Sequence, residues 1–184
     1  NAGKILLLDG NEIASQASAR AACLLTRART KPALMELVQE TYDCIKEIEV
    51  LLDESLELQQ CGSVTIASSD SSLKGLEALE EAATRFGIPN ERISRERVKE
   101  LLPWIESDAV DVALYMPTDA FIDSALLCSG YARAAAKLGV ELKPNCKVKE
   151  IIVEQDEIRG VSLVNGERLM LRLLSMQQVR GLTC

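Results

Sequence analysis

The chain contains no histidine in its 184 residues. That absence removes the commonest general base and any Ser-His-Asp triad. It also argues against zinc, because the six cysteines (Cys23, Cys44, Cys61, Cys128, Cys146 and Cys184) include no CxxC pair. Cys44 and Cys128 fall on apolar helix faces and read as small core residues in a reduced, cytoplasmic setting. No apolar run approaches a membrane span, and no signal peptide is visible. An excess of positive charge is missing too. The net charge is −7, which opposes binding to nucleic acid, whose phosphates need a basic face. Repeats and low-complexity segments are absent. The chain also lacks an initiating methionine and starts at Asn1, just ahead of a strand. A parallel strand with no upstream partner reads as the remnant of a longer chain. If the protein is an enzyme, its hard chemistry belongs to a cofactor.

What is present supports a folded core. The apolar fraction is 47% and mean hydropathy is near zero, which excludes a disordered chain. The length allows one large domain or one and a half small ones. Lys4 to Leu8 reads as a buried strand covered on both faces, ending in an acid at Asp9 followed by Gly10. A run of small residues from Ala14 to Cys23 follows. A carboxylate at such a strand tip suits a ribose hydroxyl, and small residues beyond it permit close approach of a cofactor. The bland alternative is an ordinary strand whose Asp9 starts a turn.

The spacing of Leu34, Leu37, Val38, Cys44, Ile45, Ile48, Leu51 and Leu52 predicts an amphipathic helix from Lys31 to about Leu58. Cys61 to Ala67 predicts a strand. Ser69-Asp70-Ser71-Ser72 supplies an N-cap for a second helix running to Phe86 and stopped by Gly87. Arg92 to Ser94 forms a short strand, and Ser94 caps a helix halted by Pro103. Val110 to Met116 is another strand. Asp123 or Ser124 opens a last helix that Gly139 closes, and Val140 to Leu142 is a short strand. Lys147 to Val153 and Ile158 to Val164 form a hairpin across Gln155-Asp156-Glu157. A turn at Asn165-Gly166 then completes a three-stranded meander.

The ordered set resembles the FAD-dependent oxidoreductases of the D-amino-acid oxidase type, a group that includes glycine oxidase, sarcosine oxidase and dimethylglycine dehydrogenase. The resemblance is carried by the strand, acid and small-residue run, then by the long helix and the Gly62 to Ala67 strand. Leu101-Leu102-Pro103 looks like the family's L-x-P turn. Ala113 to Asp123 is similar to its "alyxPxdgxvdP" stretch. Ala134 to Val140 matches "AAxxxGV", and Val148, Ile151 and Gly160-Val161 match its "V-x-x-I…GV" meander. The fold class implied is α/β with an α+β insertion: an incomplete Rossmann-like FAD-binding domain plus part of a substrate domain. The expected division is 1–30 (FAD-binding), 31–120 (substrate-side), 121–169 (FAD-binding return helix and meander) and 170–184 (an out-of-frame tail).

The resemblance implies FAD as cofactor. Asp9 would bond the adenosine ribose, with Gly10 beside it. Ala17 and Ser18 would lie along the pyrophosphate, and Ala22, Cys23 and Leu24 beside the flavin. Val148 would meet the adenine through its backbone. Gln16, Ala19 and Cys23 stand where the family usually has glycine, so a negative φ is expected at each. Ala120 and Ser124 replace a usual glycine and proline. The family's opening strand and its G-x-G-x-x-G turn would lie upstream of Asn1. Downstream, a strand reading like "VVNAAGAW" is expected where Met170 to Cys184 stand. One permitted back-translation of that tail, read from the last base of the Met170 codon, gives A-E-T-V-V-N-A-A-G-A-W-A-D-L. Residues 170–184 thus read as a frameshifted copy of that strand, against a genuine divergent segment.

The implied activity of the parent protein is oxidation of a small amine or amino acid by hydride transfer to flavin, with electrons passing to oxygen or to a carrier. The fragment alone is expected to bind FAD weakly or not at all. Arg27 and Arg29 are candidates to pair a substrate carboxylate, or else are solvated in a polar loop. Tyr115 is a pocket residue or packs in its strand. The alternatives are a 2-hydroxy-acid or glycerol-phosphate dehydrogenase of the same flavin group, and a non-enzymatic α+β binding module.

Overall fold

The structure is a computed structural model that describes residues 3–106, 110–171 and 175. The chain divides into two compact units, Asn1–Ala22 with Ser124–Cys184, and Cys23–Asp123. It is mixed α/β, as expected.

In the first unit, β1 (Leu6–Leu8) pairs in parallel with β7 (Glu141–Lys143). The pairing is reached through α4 (Ser124–Lys137), which packs on β7 and on a short 3-10 turn at Ser18–Arg20. Gly139, at φ 93°, ends α4 as expected of a left-handed closing residue. β8 (Val148–Glu154), β9 (Glu157–Leu163) and β10 (Arg168–Met170) form an antiparallel meander with β9 central. Gln155 and Asp156 both have positive φ, so the first hairpin turn is a two-residue, I′-like turn, tighter than the three residues expected. The burial expected of β1 is not observed. Ile5 is 52% and Leu7 45% exposed, so the face they share by strand alternation is left open among the described residues. Most of the tail beyond Leu171 lies outside the described residues.

The second unit is built on an antiparallel sheet of order β3-β5-β4: β3 (Ser63–Ala67), β4 (Glu91–Ile93) and β5 (Val112–Met116). Strand alternation sends Ala67, Val112, Leu114 and Met116 to one face. There they pack with Leu76 and Ala83 of α2 (Asp70–Arg85). Val64, Ile66, Ile93 and Ala113 go to the other face, against Val98 of α3 (Arg95–Leu101). Both faces are therefore covered by a helix. Ser69 and Ser72 form a reciprocal capping box on α2, and Ser94 caps α3.

α1 (Pro32–Leu52) buries Met35, Tyr42, Ile45 and Ile48 on one stripe. It ends six residues short of the expected Leu58. The Glu49 carboxylate turns back to accept the Leu56 N–H at 2.7 Å, and Asp53 takes φ 58°. Leu56 is thus buried from an irregular segment rather than from the helix. β2 (Leu24–Leu25) and β6 (Ala120–Phe121), which the sequence pattern did not signal, form a short antiparallel pair. Cys44 and Cys128 are half-buried rather than in the core.

Candidate functional site

The carboxyl end of β1 is the natural ligand edge of a parallel strand pair. There the Asp9 N–H donates to the Lys143 carbonyl at 3.1 Å, and the Asp9 carbonyl accepts the Cys146 N–H at 2.7 Å. The chain after β7 thereby clasps the tip of β1. Asp9 Oδ1 accepts the Asn11 N–H at 2.9 Å, a local turn that orients the carboxylate. Among the described residues no lysine or arginine pairs with it. Its second oxygen has no hydrogen-bond partner among the described residues.

Gly10 lies next to Lys147. A Cβ built on it would sit 3.8 Å from Lys147, an ordinary contact, so sterics do not demand glycine there. Val148 follows Lys147 and opens β8 opposite Leu163. The fold therefore brings Asp9, Gly10 and Val148 to one end of the first unit. Ala17 and Ser18 lie in and beside the exposed 3-10 turn on α4, and Ala22 is exposed just beyond it. Cys23 and Leu24 belong to the second unit.

One expectation at these positions is overturned. Cys23 has φ 63°, not the negative value its Cβ would favour. Its backbone is held there because its carbonyl accepts the Ile122 N–H at 3.1 Å, while Leu24 pairs with Phe121. The glycine conformation persists without the glycine, and strain is the result. Leu24 presents its side chain to solvent, at 62% exposure.

The second unit holds a polar cluster that the sequence pattern did not reveal. Asp119 is 1% exposed. Its carboxylate accepts the Arg27 backbone N–H at 2.7 Å and the Ser63 hydroxyl at 2.6 Å. Arg27 is not a solvated loop residue. Its Nε donates to the Thr118 carbonyl at 3.1 Å, one terminal nitrogen reaches Gln39 at 3.3 Å, and its guanidinium lies 3.7 Å over the Tyr42 ring. The Tyr42 hydroxyl donates to the Leu25 carbonyl at 2.6 Å. Burial pushes the Tyr42 pKa above its usual 10.0, partly opposed by the Arg27 charge. Arg29 folds onto Thr26 and the Ala28 carbonyl. Tyr115 packs in β5 with its ring against Gly62. A buried acid such as Asp119 leaves no periodic trace, and its Pro117-Thr118-Asp119 turn was the nearest available sign.

The residues present fit a dinucleotide at the β1 end: an oriented, cation-free carboxylate, an open glycine and small exposed residues beyond. Among the described residues no helix is long and apolar enough to cross a membrane, and no His/Cys/Asp/Glu group is placed to hold a metal. Residues 1–171 match the family described as DAO, FAD dependent oxidoreductase. The chain belongs to that family.

The resemblance read from the sequence is borne out, and FAD is the cofactor of this FAD dependent oxidoreductase family. One relative is 4-methylaminobutanoate oxidase (formaldehyde-forming) of Paenarthrobacter nicotinovorans, 28% identical over 90% of this chain and 21% of its own. Another is the mitochondrial pyruvate dehydrogenase phosphatase regulatory subunit of Mus musculus, 24% identical over 89% and 19%. Among solved structures, L-proline dehydrogenase from P. horikoshii superposes with a TM-score of 0.78 at 19% identity, over 93% of this chain and 51% of its own. The chain thus spans about a fifth of these curated relatives' length and about half of that solved structure.

Proposed function

We propose that this chain supplies one side of the FAD cradle and part of the substrate-side domain of an oxidoreductase acting on a small amine or amino acid. The supporting observation is the convergence of Asp9, Gly10 and Val148 at the carboxyl end of the parallel β1–β7 pair. Asp9 accepts a ribose hydroxyl with Gly10 beside it, Ala17 and Ser18 line the pyrophosphate, and the Val148 backbone meets the adenine. Ala22, Cys23 and Leu24 face the flavin. When bound, FAD supplies hydride acceptance, which requires no histidine from the protein. The substrate class follows the relative named for 4-methylaminobutanoate, an N-methylated amino acid.

The isolated chain is expected to bind FAD weakly or not at all, since β1 has a single partner among its described residues. Nuclear magnetic resonance of the labelled chain tests this. Millimolar FAD is expected to shift the amide resonances of Gly10, Ser18 and Val148, and Asp9→Ala to reduce those shifts. Shifts that fall at other amides and spare these positions overturn the assignment. In a whole protein carrying this segment, N-methyl amino acids are expected to bleach the bound flavin.

A second reading is favoured by the relative named as a regulatory subunit. In that reading the same fold serves as a non-enzymatic module. Bleaching by an amine substrate decides against it.

A further inference from the structure

The second unit contains a cavity of about 380 Å³ walled by Met35 and Val38 of α1, by Phe86, Ile88 and Pro89 after α2, and by Arg27 and Thr118. Its lining is apolar apart from a few groups, the general character of small-molecule sites. The guanidinium on its wall is unusual. Arg27 is fixed by neutral acceptors and by the Tyr42 ring, and among the described residues no carboxylate forms an ion pair with it. A half-buried arginine held in one orientation without a paired anion is preorganised to receive one. Glu36 stands at the cavity as well, and its charge disfavours any ligand carrying a second carboxylate.

We propose that this cavity binds a small monocarboxylate with an aliphatic or aromatic body, its carboxylate on Arg27 and its body against Met35, Val38, Phe86, Ile88 and Pro89. The site lies wholly within the second unit, and its use of Arg27 rests on the reading of that residue as a partner for a substrate carboxylate. Its occupancy is therefore measured without FAD.

The probe is 3-phenylpropionate, titrated into the full chain by calorimetry. Saturable binding in the millimolar range or tighter is expected. 3-Phenylpropan-1-ol, of equal shape but uncharged, is expected to bind at least about tenfold more weakly, as is the dicarboxylate glutarate. R27Q should weaken 3-phenylpropionate about tenfold or more. V38W, which leaves Arg27 intact and fills the cavity from α1, should abolish binding with the fold retained by circular dichroism. The proposal is overturned by absence of saturable binding, by equal affinity for the alcohol, or by a folded V38W chain that binds as the parent does.

Discussion

Replacing Asp119 with alanine removes the acceptor for two donors inside the second unit. The Arg27 N–H, at 2.7 Å, and the Ser63 hydroxyl, at 2.6 Å, both lose their partner. Each stranded part-buried donor costs up to about 1–3 kcal/mol, so the loss reaches about 4 kcal/mol where water does not replace the carboxylate. For a chain of this size that corresponds to a fall in melting temperature of roughly 8–16 °C. Asp119→Asn separates charge from connectivity. One amide oxygen still serves Arg27, and the new NH₂ can donate to the Ser63 oxygen, so the expected cost is about 1 kcal/mol. The double variant Asp119→Ala with Ser63→Ala removes one donor together with its acceptor. It should be less damaged than the sum of the single variants by about 1 kcal/mol. Calorimetry and urea titration, with amide exchange in β3 and β5 identifying the transition of the second unit, give these values. A loss below about 1 kcal/mol for Asp119→Ala, or strict additivity in the double variant, refutes the clamp.

Three further outcomes follow from single positions. At Cys23, φ 63° penalises a β-branched residue more than glycine. Cys23→Gly should therefore be more stable than Cys23→Val by about 2 kcal/mol in chemical denaturation, and equal values would remove the strain argument. Tyr42 has a pKa raised by burial above 10.0, so the folded state favours the protonated phenol. Stability is full below pH 10, declines as pH rises through the raised folded value, and the decline should be smaller in Tyr42→Phe, as read by ultraviolet titration and alkaline unfolding. At Gly160 an added Cβ would strike the Leu169 carbonyl of the paired strand. Gly160→Ala should cost about 2–3 kcal/mol and expose the β10 amides to exchange; an unaltered exchange pattern would contradict the register.

The elements that could be read from sequence are those closed by local chemistry. Ser69 and Ser94 cap helices through bonds spanning three residues, Gly87 and Gly139 terminate them at positive φ, and Asn165-Gly166 turns the meander. Each signal lies beside the structure it causes. The missed features are held by residues distant in the chain. Tyr42 anchors to Leu25, Asp119 reaches back to Arg27 and Ser63, and the two-residue strands β2 and β6 define each other. The overestimate of α1 has the same origin. Leu56 extends the apolar pattern, but the Glu49 side chain ends the helix, and Leu56 is buried from a loop. The β1 edge was legible in its chemistry and not in its burial, since four apolar letters in a row do not reveal what covers each face of the strand.

The strained Cys23 and the buried Asp119 hold the same segment. A non-glycine residue keeps a left-handed backbone only when its surroundings over-determine it. Here the surroundings are the Ile122 bond to the Cys23 carbonyl, the β2–β6 pairing and the Asp119 grip on Arg27, which together fix both ends of Cys23 to Arg27. If that grip sustains the strain, releasing it lets Cys23 relax, and glycine loses part of its advantage there. The stability gap between the glycine and valine variants at position 23 should therefore narrow in the Asp119→Ala background. If the gap is unchanged, the left-handed turn is held by β2 and β6 alone, and the buried carboxylate serves only the Arg27 side of the segment.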